Sequence, residues 1–452
     1  MSEKQSQIIG RGYDITGRYA MSDEVKLPVL DFDRMDAAKL IEKDVNIPSS
    51  DFNTLCGSTA TSFATSMLSN AKINMRAGLG ALGGFQAELT SKYSQQRYKS
   101  DAYSFAITIN KIFKEAYRAA NRSRPETLPE YASKEFLRDL DSKTPAEIIR
   151  LYGTHVMLGG IWGARLDYKF SAKKTAEAYK KDAASAFSAK ANASCLLISS
   201  SKQVDKSIND AYSKNYDAST EETHTYAQGG RPEYAQSVHQ YQDYTKWINS
   251  ITNDNSVWID YYNDSLLPIY EAVSNSAKKA AIRQAFTQYL EGKQITVTSA
   301  LKQKTVDRPF DLIGGSHVGG DDADINTQSN RQTQWSLEVS LQKVSPGLAR
   351  ANFNYWLKEV AKNYTELRMI KSVDIPIQEQ DFVLEGPTTW YSGTGSISGK
   401  HHEEIRVSSI HSSLPPFLLR DNLYITIDSP TNKDQNTMRV RGTLKIPYSY
   451  VV

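Results

Sequence analysis

The segment YGTHVMLGG, residues 152–160, is the most informative part of this sequence, because it separates a well-marked helix from the most regular strand. Thr144 and Pro145 are residue types preferred at an N-cap and at the first helical position, so they predict a helix that ends near the segment. After the segment, apolar and polar residues alternate, which predicts a β-strand. Its apolar positions are Trp162, Ala164, Leu166, Tyr168 and Phe170, and its other positions include Gly163, Arg165, Asp167 and Lys169.

Residues 51–100 are rich in Ser, Thr, Ala and Gly and poor in charge. In the first half, apolar residues recur every three or four positions, which favours a helix. From residue 73 to residue 93 the period changes to two. This alternation exceeds the ~9–11 residues that a tilted strand needs to cross a bilayer. The apolar row therefore predicts membrane-facing positions at Ile73, Met75, Leu79, Phe85, Leu89 and Tyr93.

Residues 171–222 differ from their surroundings, because they are rich in Ala and Lys and contain no Pro. This composition favours helix. Read as a strand, the stretch has only a short apolar row around Ala189, Ala191 and Ala193. The following segment, THTYAQGG, predicts a strand that ends at Gly229 and Gly230.

Other patterns complete the predicted organisation of the chain. Alternation around Phe105 predicts a strand, and EFLRDL predicts a helix. Helices are also predicted over residues 266–290 and 346–362, and short strands with Gly and Pro turns are predicted towards the C-terminus. We predict a first domain over residues 1–300, a middle α+β region over 301–375 and a β-rich C-terminal domain over 376–452.

The signature segment resembles that of the membrane attack complex/perforin (MACPF) family. The matching residues are Tyr152, Gly153, Thr154, His155, Gly159 and Gly160. Position 156 is Val where the family usually has an aromatic residue, and the spacing to the glycine pair is shorter than in many animal members. GRGYDITG near the N-terminus resembles the opening of the family domain, and residues 247–273 resemble its closing helices. The resemblance covers about residues 1–300 and is greatest to the gut Bacteroidales branch, which includes secreted antibacterial toxins.

This resemblance implies an α+β fold, with a bent four-stranded antiparallel sheet flanked by two helical clusters, as in the cholesterol-dependent cytolysins. Residues 51–100 and 171–222 would be the clusters. In pore-forming members, monomers assemble into a ring and the clusters unfurl into β-hairpins of one barrel. Closure into a barrel is needed because lipid cannot satisfy the open edge of a sheet. Gly229 and Gly230 would be the hinge that lets the sheet straighten.

The implied function is pore formation in a target membrane, with an antibacterial toxin as one expected role. The implied partners are a lipid, glycolipid or surface receptor of that membrane and further copies of the chain. The resemblance implies no catalytic residue. We expect a secreted or outer-membrane-surface protein that is soluble before assembly, and a leader upstream of this sequence.

A secreted adhesion protein that does not perforate membranes is the alternative. Lysines on both strand faces of the second stretch support it, because a Lys that faces lipid at the midplane costs ~2–4 kcal/mol. These lysines are Lys173, Lys174, Lys180, Lys181 and Lys190.

Composition argues against other classes of function. The 452 residues include 54 Lys and Arg against 51 Asp and Glu, and this net charge of +3 is too balanced to indicate nucleic-acid binding. No run of about 18 apolar residues occurs. Cys56 and Cys195 are too few for a disulfide scaffold and are expected to stay separate. No nucleophile, base and oxyanion site can be assembled, so we predict no enzyme and a structural role for His155.

Several short motifs lack the context that their ligands need. Gly78, Gly80 and Gly83 form GxGxxG without a preceding buried strand. The acidic run from Asp322 lacks the Gly and Glu of a calcium loop, and the His401–His402 pair lacks the spacing of a helical zinc site. Trp390 and Tyr391 could contact a sugar or lipid, or pack in a core. We predict no metal and no cofactor.

Overall fold

The structure, a computed structural model, describes the chain with short gaps. The described residues are 3–71, 84–120, 124–180, 183–200, 203–319, 331–359, 366–384, 388–397, 402–406, 411–412, 418–428 and 437–452. They form two compact units, one of Met1–Lys174 with Lys181–Ala300 and one of Thr175–Lys180 with Leu301–Val452.

Helices fall mainly in the first unit. They are α1 (Glu3–Ser6), α2 (Phe32–Ala37), α3 (Ala60–Asn70), α4 (Ala87–Thr90), α5 (Gln95–Tyr98), α6 (Lys134–Ser142), α7 (Pro145–Tyr152), α8 (Ala176–Lys180), α9 (Ala184–Ser200), α10 (Lys206–Ser213), α11 (Pro232–Ala235), α12 (Tyr241–Asn249) and α13 (Ser276–Gly292), with short 3-10 helices at Ser22–Glu24, Pro125–Tyr131 and Ile269–Ala272. Within the described residues, none of these helices is long and apolar enough to cross a membrane.

The first unit contains two sheets. Its strands are β1 (Arg11–Tyr13), β2 (Val25–Pro28), β3 (Ile41–Asp44), β4 (Ser50–Gly57), β5 (Tyr103–Ala119), β6 (His155–Met157), β7 (Gly159–Lys174), β8 (Tyr216–Gln228), β9 (Val257–Tyr261) and β10 (Leu266–Pro268). A small sheet has the order β10-β6-β1-β2.

The large sheet is built on the long antiparallel pair β5 and β7. Along β5, first β4 and then β3 pair with the outer edge, whereas β8 and β9 share the outer edge of β7. Where β5 pairs with β4 and β7 pairs with β8, the sheet is therefore four-stranded and antiparallel, with the order β4-β5-β7-β8. Together with its flanking helices, it confirms the predicted α+β fold.

The second unit is built from two antiparallel sheets around one apolar core. Each sheet combines strands from before and after residue 375. The strands are β11 (Leu301–Gly314), β12 (Ser316–Gly319), β13 (Arg331–Ser345), β14 (Leu348–Glu359), β15 (Glu366–Pro376), β16 (Phe382–Leu384), β17 (Thr388–Ile397), β18 (His402–Arg406), β19 (His411–Ser412), β20 (Leu418–Asp428) and β21 (Thr437–Val451).

Several sequence predictions of secondary structure are wrong. The helix predicted over residues 346–362 is strand β14, because Ala349, Ala351, Phe353 and Tyr355 form the buried row of an alternating pattern. The helical reading of residues 247–273 fails for β9 and β10, and the helix predicted from residue 266 begins at Ser276. Both clusters are also shorter than predicted, because β4 and β7 extend to Gly57 and Lys174 and β8 begins at Tyr216.

Candidate functional site

The signature segment links α7 to the small sheet. Thr144 caps α7 in a reciprocal capping box with Glu147, as its position before Pro145 predicts. At the other end, the Tyr152 hydroxyl donates a hydrogen bond to Asp139 at 3.0 Å. Gly153 follows with a φ of +75°, and a Cβ there would lie 2.5 Å from the Tyr13 carbonyl oxygen. This turn therefore requires glycine.

Thr154 and His155 connect the signature segment to the N-terminal residues Tyr13 and Ile15 and to helix α13. The Thr154 hydroxyl donates to the Tyr13 carbonyl at 3.2 Å and accepts from the Ile15 amide at 2.9 Å. His155 Nδ1 lies 2.9 Å from the same hydroxyl, and its ring packs edge-on against Phe286 of α13. Burial lowers the pKa of His155 to about 3, so its imidazole is uncharged at neutral pH.

Gly159 and Gly160 allow close packing at the start of β7. A Cβ on Gly159 would lie 2.9 Å from the Tyr117 carbonyl oxygen, and one on Gly160 would lie 2.9 Å from the Trp258 ring. Both distances are too short for a side chain. The glycine pair thus lets neighbouring backbone and an indole approach the strand.

Gly229 and Gly230 end β8 with φ values of +77° and +71°. The Gly229 carbonyl accepts a hydrogen bond from Trp247 Nε1 at 2.8 Å. A Cβ on Gly229 would lie 2.5 Å from the Gly163 carbonyl oxygen. Gly229 therefore lies against β7, whereas Gly230 lies against Trp247 and Ser250, and a hinge role for the pair remains a proposal.

Sequence reasoning missed the importance of Gly163 itself. A Cβ at this position would lie 1.9 Å from the Ile112 carbonyl oxygen of β5, beside a register shift between Phe113 and Glu115. A single glycine inside an otherwise regular strand is the signal that could have identified this close approach.

The first cluster, defined here as α3 with residues 84–98, covers one face of the four-stranded sheet. Three of the predicted membrane-facing side chains belong to this cluster and are buried, namely Phe85, Leu89 and Tyr93. Tyr93 packs against Phe105 of β5 and His224 of β8, and Phe85 packs against Tyr19. Ile73, Met75 and Leu79 lie outside the described residues.

The sheet face under the first cluster carries buried charges. Lys169 of β7 pairs with Glu88 of α4, and Glu88 also accepts a hydrogen bond from the Tyr19 amide at 2.5 Å. Arg165 and Asp167 form a second pair at 2.9 Å, in which burial raises the pKa of Asp167. The alternation of β7 predicted these polar positions but not their burial.

Arg97 of α5 is a further contact that the sequence did not reveal. Its guanidinium lies 3.1 Å from the Glu222 carboxylate and donates to the Thr220 carbonyl at 2.9 Å. The first cluster is therefore held to both β7 and β8 by charged groups.

The second cluster, defined as α9 and α10, covers the opposite face through uncharged contacts. Phe187 packs against Phe170 of β7 and Tyr216 of β8. Asn192 donates a hydrogen bond to the Thr54 hydroxyl of β4 at 3.2 Å. Cys195 is buried, which raises the pKa of its thiol to about 12. Neither Cys195 nor Cys56 forms a disulfide.

Two of the lysines that weigh against insertion have hydrogen-bond partners in the folded protein. Lys174 is largely buried and donates to the Ser58 carbonyl at 2.9 Å, and its burial lowers its pKa. Lys190 donates to Asn209 at 2.8 Å across α9 and α10. Gly78, Gly80, Gly83, the acidic run from Asp322 and His401 lie outside the described residues.

A sequence model of the MAC/Perforin domain matches residues 3–298. No curated protein matches the chain. The crystal structure of GNIP1Aa from Chromobacterium piscinae is similar, with a TM-score of 0.54 and 14% identity, covering 93% of this chain and 88% of that one. A putative cell invasion protein with a MAC/Perforin domain from Bacteroides thetaiotaomicron has a TM-score of 0.49 and 12% identity, covering 77% and 66%. At such identities the likeness concerns the fold alone.

Proposed function

Because the chain belongs to the MAC/Perforin domain family, whose model matches residues 3–298, we propose that it is a pore-forming protein. It binds a target membrane, assembles with copies of itself into a ring and inserts β-hairpins from both clusters. We further propose that it acts outside the producing cell, secreted or at the outer-membrane surface, and that its role is antibacterial.

The placement of the clusters carries this proposal. The first cluster connects β4 to β5 and the second connects β7 to β8, and each of these strand pairs is already antiparallel. Lengthening both strands of a pair therefore produces a hairpin without changing the sheet. Gly57 and Tyr103 are about 45 residues apart and Lys174 and Tyr216 about 41. Arms of about 20 residues span roughly 66 Å, which exceeds a hydrocarbon core of ~30 Å.

The edges of the four-stranded sheet support assembly between copies. Within the described residues, β4 pairs only with β5, and β8 pairs only with β7. The unpaired backbone groups of such edge strands are the groups that another copy can bind. Ring formation would then supply the partners that an inserted hairpin needs in lipid.

A reversible lock on the second cluster tests the proposal. Thr54 and Asn192 touch across β4 and α9, so a Thr54→Cys/Asn192→Cys variant, in a background with Cys56→Ala and Cys195→Ala, can tether the helix to the sheet. The assay is dye release from vesicles made of outer-membrane lipid extracts of gut bacteria. We expect no release by the oxidised variant, full release after reduction, and normal release by the oxidised Asn192→Cys single variant.

Two results would contradict the proposal in different ways. Equal release by the oxidised and reduced variants would show that dye release does not require the second cluster to leave the sheet. Membrane binding without release by the unlocked background protein would favour the adhesion protein, to which the lysines of the second stretch also point.

A further inference from the structure

Strand β8 contains a bulge that interrupts its pairing with β7. Ser171 pairs with Glu222, but Lys173 pairs with Asp217. Between these pairs β7 has one residue, Ala172, whereas β8 has the four residues 218–221, so β8 carries three extra residues. A slip of an odd number of residues exchanges the two faces of a strand, so this bulge decides which side chains of the second hairpin share a face.

Local hydrogen bonds give the bulge a defined structure. The Asp217 carboxylate accepts from the Ser219 amide at 3.0 Å and from the Ser219 hydroxyl at 2.7 Å. The Thr220 hydroxyl donates to the Asp217 carbonyl at 2.7 Å and accepts from the Lys173 amide at 2.9 Å. These bonds lie within β8 or between β8 and β7, so they can persist when the clusters leave, although Arg97 of the first cluster also donates to the Thr220 carbonyl in the folded protein.

We propose that the bulge is retained on the membrane and fixes the register of the second hairpin, with its turn at Cys195 and an uncharged lipid-facing row. This inference rests on the proposed function. If the pairing is extended beyond Lys173–Asp217 and Lys174–Tyr216 by one residue on each strand at a time, the two strands meet in a turn at Cys195. In this register the odd-numbered residues of both arms share a face. That face carries no charge from Ala183 to Gln203, and it includes Phe187, Ala189, Ala191, Ala193, Leu197 and Ser199.

A straightened β8 would give a less suitable surface. Continuing from the pair Ser171–Glu222 moves the turn to between Leu196 and Leu197. The face of Phe187 would then receive the even-numbered residues of the second arm, and these include Lys202 and Lys206. Lysines on that face would meet the acyl chains, where charged side chains are disfavoured. The retained bulge instead turns both lysines towards the lumen.

The length of the uncharged row fits a bilayer. The second arm has nine residues from residue 196 to residue 204, and Asp205 follows on the lipid-facing side. A tilted strand needs about 9–11 residues to cross the hydrocarbon core. The first arm is uncharged on this side back to Ala183. The partner of this surface is therefore the acyl region of a membrane, with Asp205 at its boundary.

Cysteine pairs distinguish the two registers. The retained bulge places Lys190 opposite Ser200, whereas a straight β8 places Lys190 opposite Gln203. We would compare Lys190→Cys/Ser200→Cys with Lys190→Cys/Gln203→Cys, both with Cys56→Ala and Cys195→Ala, by disulfide formation on dye-releasing vesicles. Lys190 and Ser200 lie in α9, about 15 Å apart along the axis, so the folded helix cannot bridge them.

Each result of this experiment is decisive. Bridging of positions 190 and 200 alone is the expected result. Bridging of 190 and 203, or of neither pair in vesicles that release dye, would overturn the proposed register while leaving pore formation intact. If the background protein releases no dye at all, both the proposed pore formation and the proposed register are contradicted.

Discussion

His155 carries the clearest electrostatic consequence of the signature segment. Its side chain is 3% exposed, and burial lowers its pKa to about 3, whereas an unfolded histidine has a pKa near 6.5. Between these values the unfolded chain binds a proton that the folded protein excludes. The free energy of unfolding therefore falls as the pH drops below about 6.5.

We predict that His155 alone accounts for a loss of about 2 kcal/mol in the free energy of unfolding between pH 7 and pH 5. The measurement is urea unfolding of the wild type and of His155→Gln at both pH values. The variant should lose less stability on acidification by about that amount, whatever its stability at pH 7. An equal loss in both proteins would mean that His155 is protonated in the folded state.

At the residue scale, sequence reasoning located the glycines and the signature but not their contacts. Gly153 and Gly229 stand out because turns and strand ends favour glycine locally. The requirement for Gly163 arises from the carbonyl of Ile112, 51 residues earlier in the chain, and no local pattern carries that information.

At the scale of elements, the two clusters differ in how they are attached to the sheet. The pair formed by Lys169 and Glu88 is buried on both sides, with side-chain exposures of 8% and 2%. Removing one partner of a buried pair leaves an uncompensated charge and costs about 3–5 kcal/mol, whereas removing both costs less than the sum.

A double-mutant cycle tests this attachment. We expect Glu88→Gln and Lys169→Met each to lower the free energy of unfolding by about 3–5 kcal/mol, and the double variant to recover at least about 1 kcal/mol of the sum. Asp141→Asn, in the exposed pair with Lys278, is the control and should cost less than about 1 kcal/mol. Strict additivity in urea unfolding would show that Glu88 does not hold α4 through Lys169.

The elements that sequence reasoning predicted are those with a strong local period. Strand β7 and helix α7 follow from alternation and from Thr144 and Pro145 at the start of the helix. The segment of β14 contains the helix-favouring residues Ala349 and Ala351. It forms a strand because these residues pack in the core of the sheet. Lys169 is buried against Glu88 of α4, and Arg165 donates to the carbonyls of Tyr19 and Ile259; all three partners are distant in sequence.

At the scale of the whole molecule, the path of the chain between β7 and α9 is the unexpected feature. The six residues Thr175–Lys180 belong to the second unit, although the residues on either side belong to the first. The Ala176 amide donates a hydrogen bond to the Asp381 carboxylate at 2.8 Å, and Ala176 is buried. In the proposed mechanism, these residues must leave the second unit before β7 can lengthen.

Asp381→Ala should loosen this segment without unfolding the second unit. A hydrogen bond to a charged acceptor contributes about 1–2 kcal/mol when its partner is partly exposed, so hydrogen exchange of the Ala176 amide should accelerate about 5–30-fold. Asp374→Ala removes a different exposed ion pair of the same unit, with Arg350, and should leave that amide unchanged. Because release of this segment precedes insertion, Asp381→Ala should also shorten the lag of dye release. Faster exchange with an unchanged lag would mean that the hydrogen bond from Ala176 to Asp381 does not limit insertion. Unchanged exchange would mean that Asp381 does not restrain the Ala176 amide.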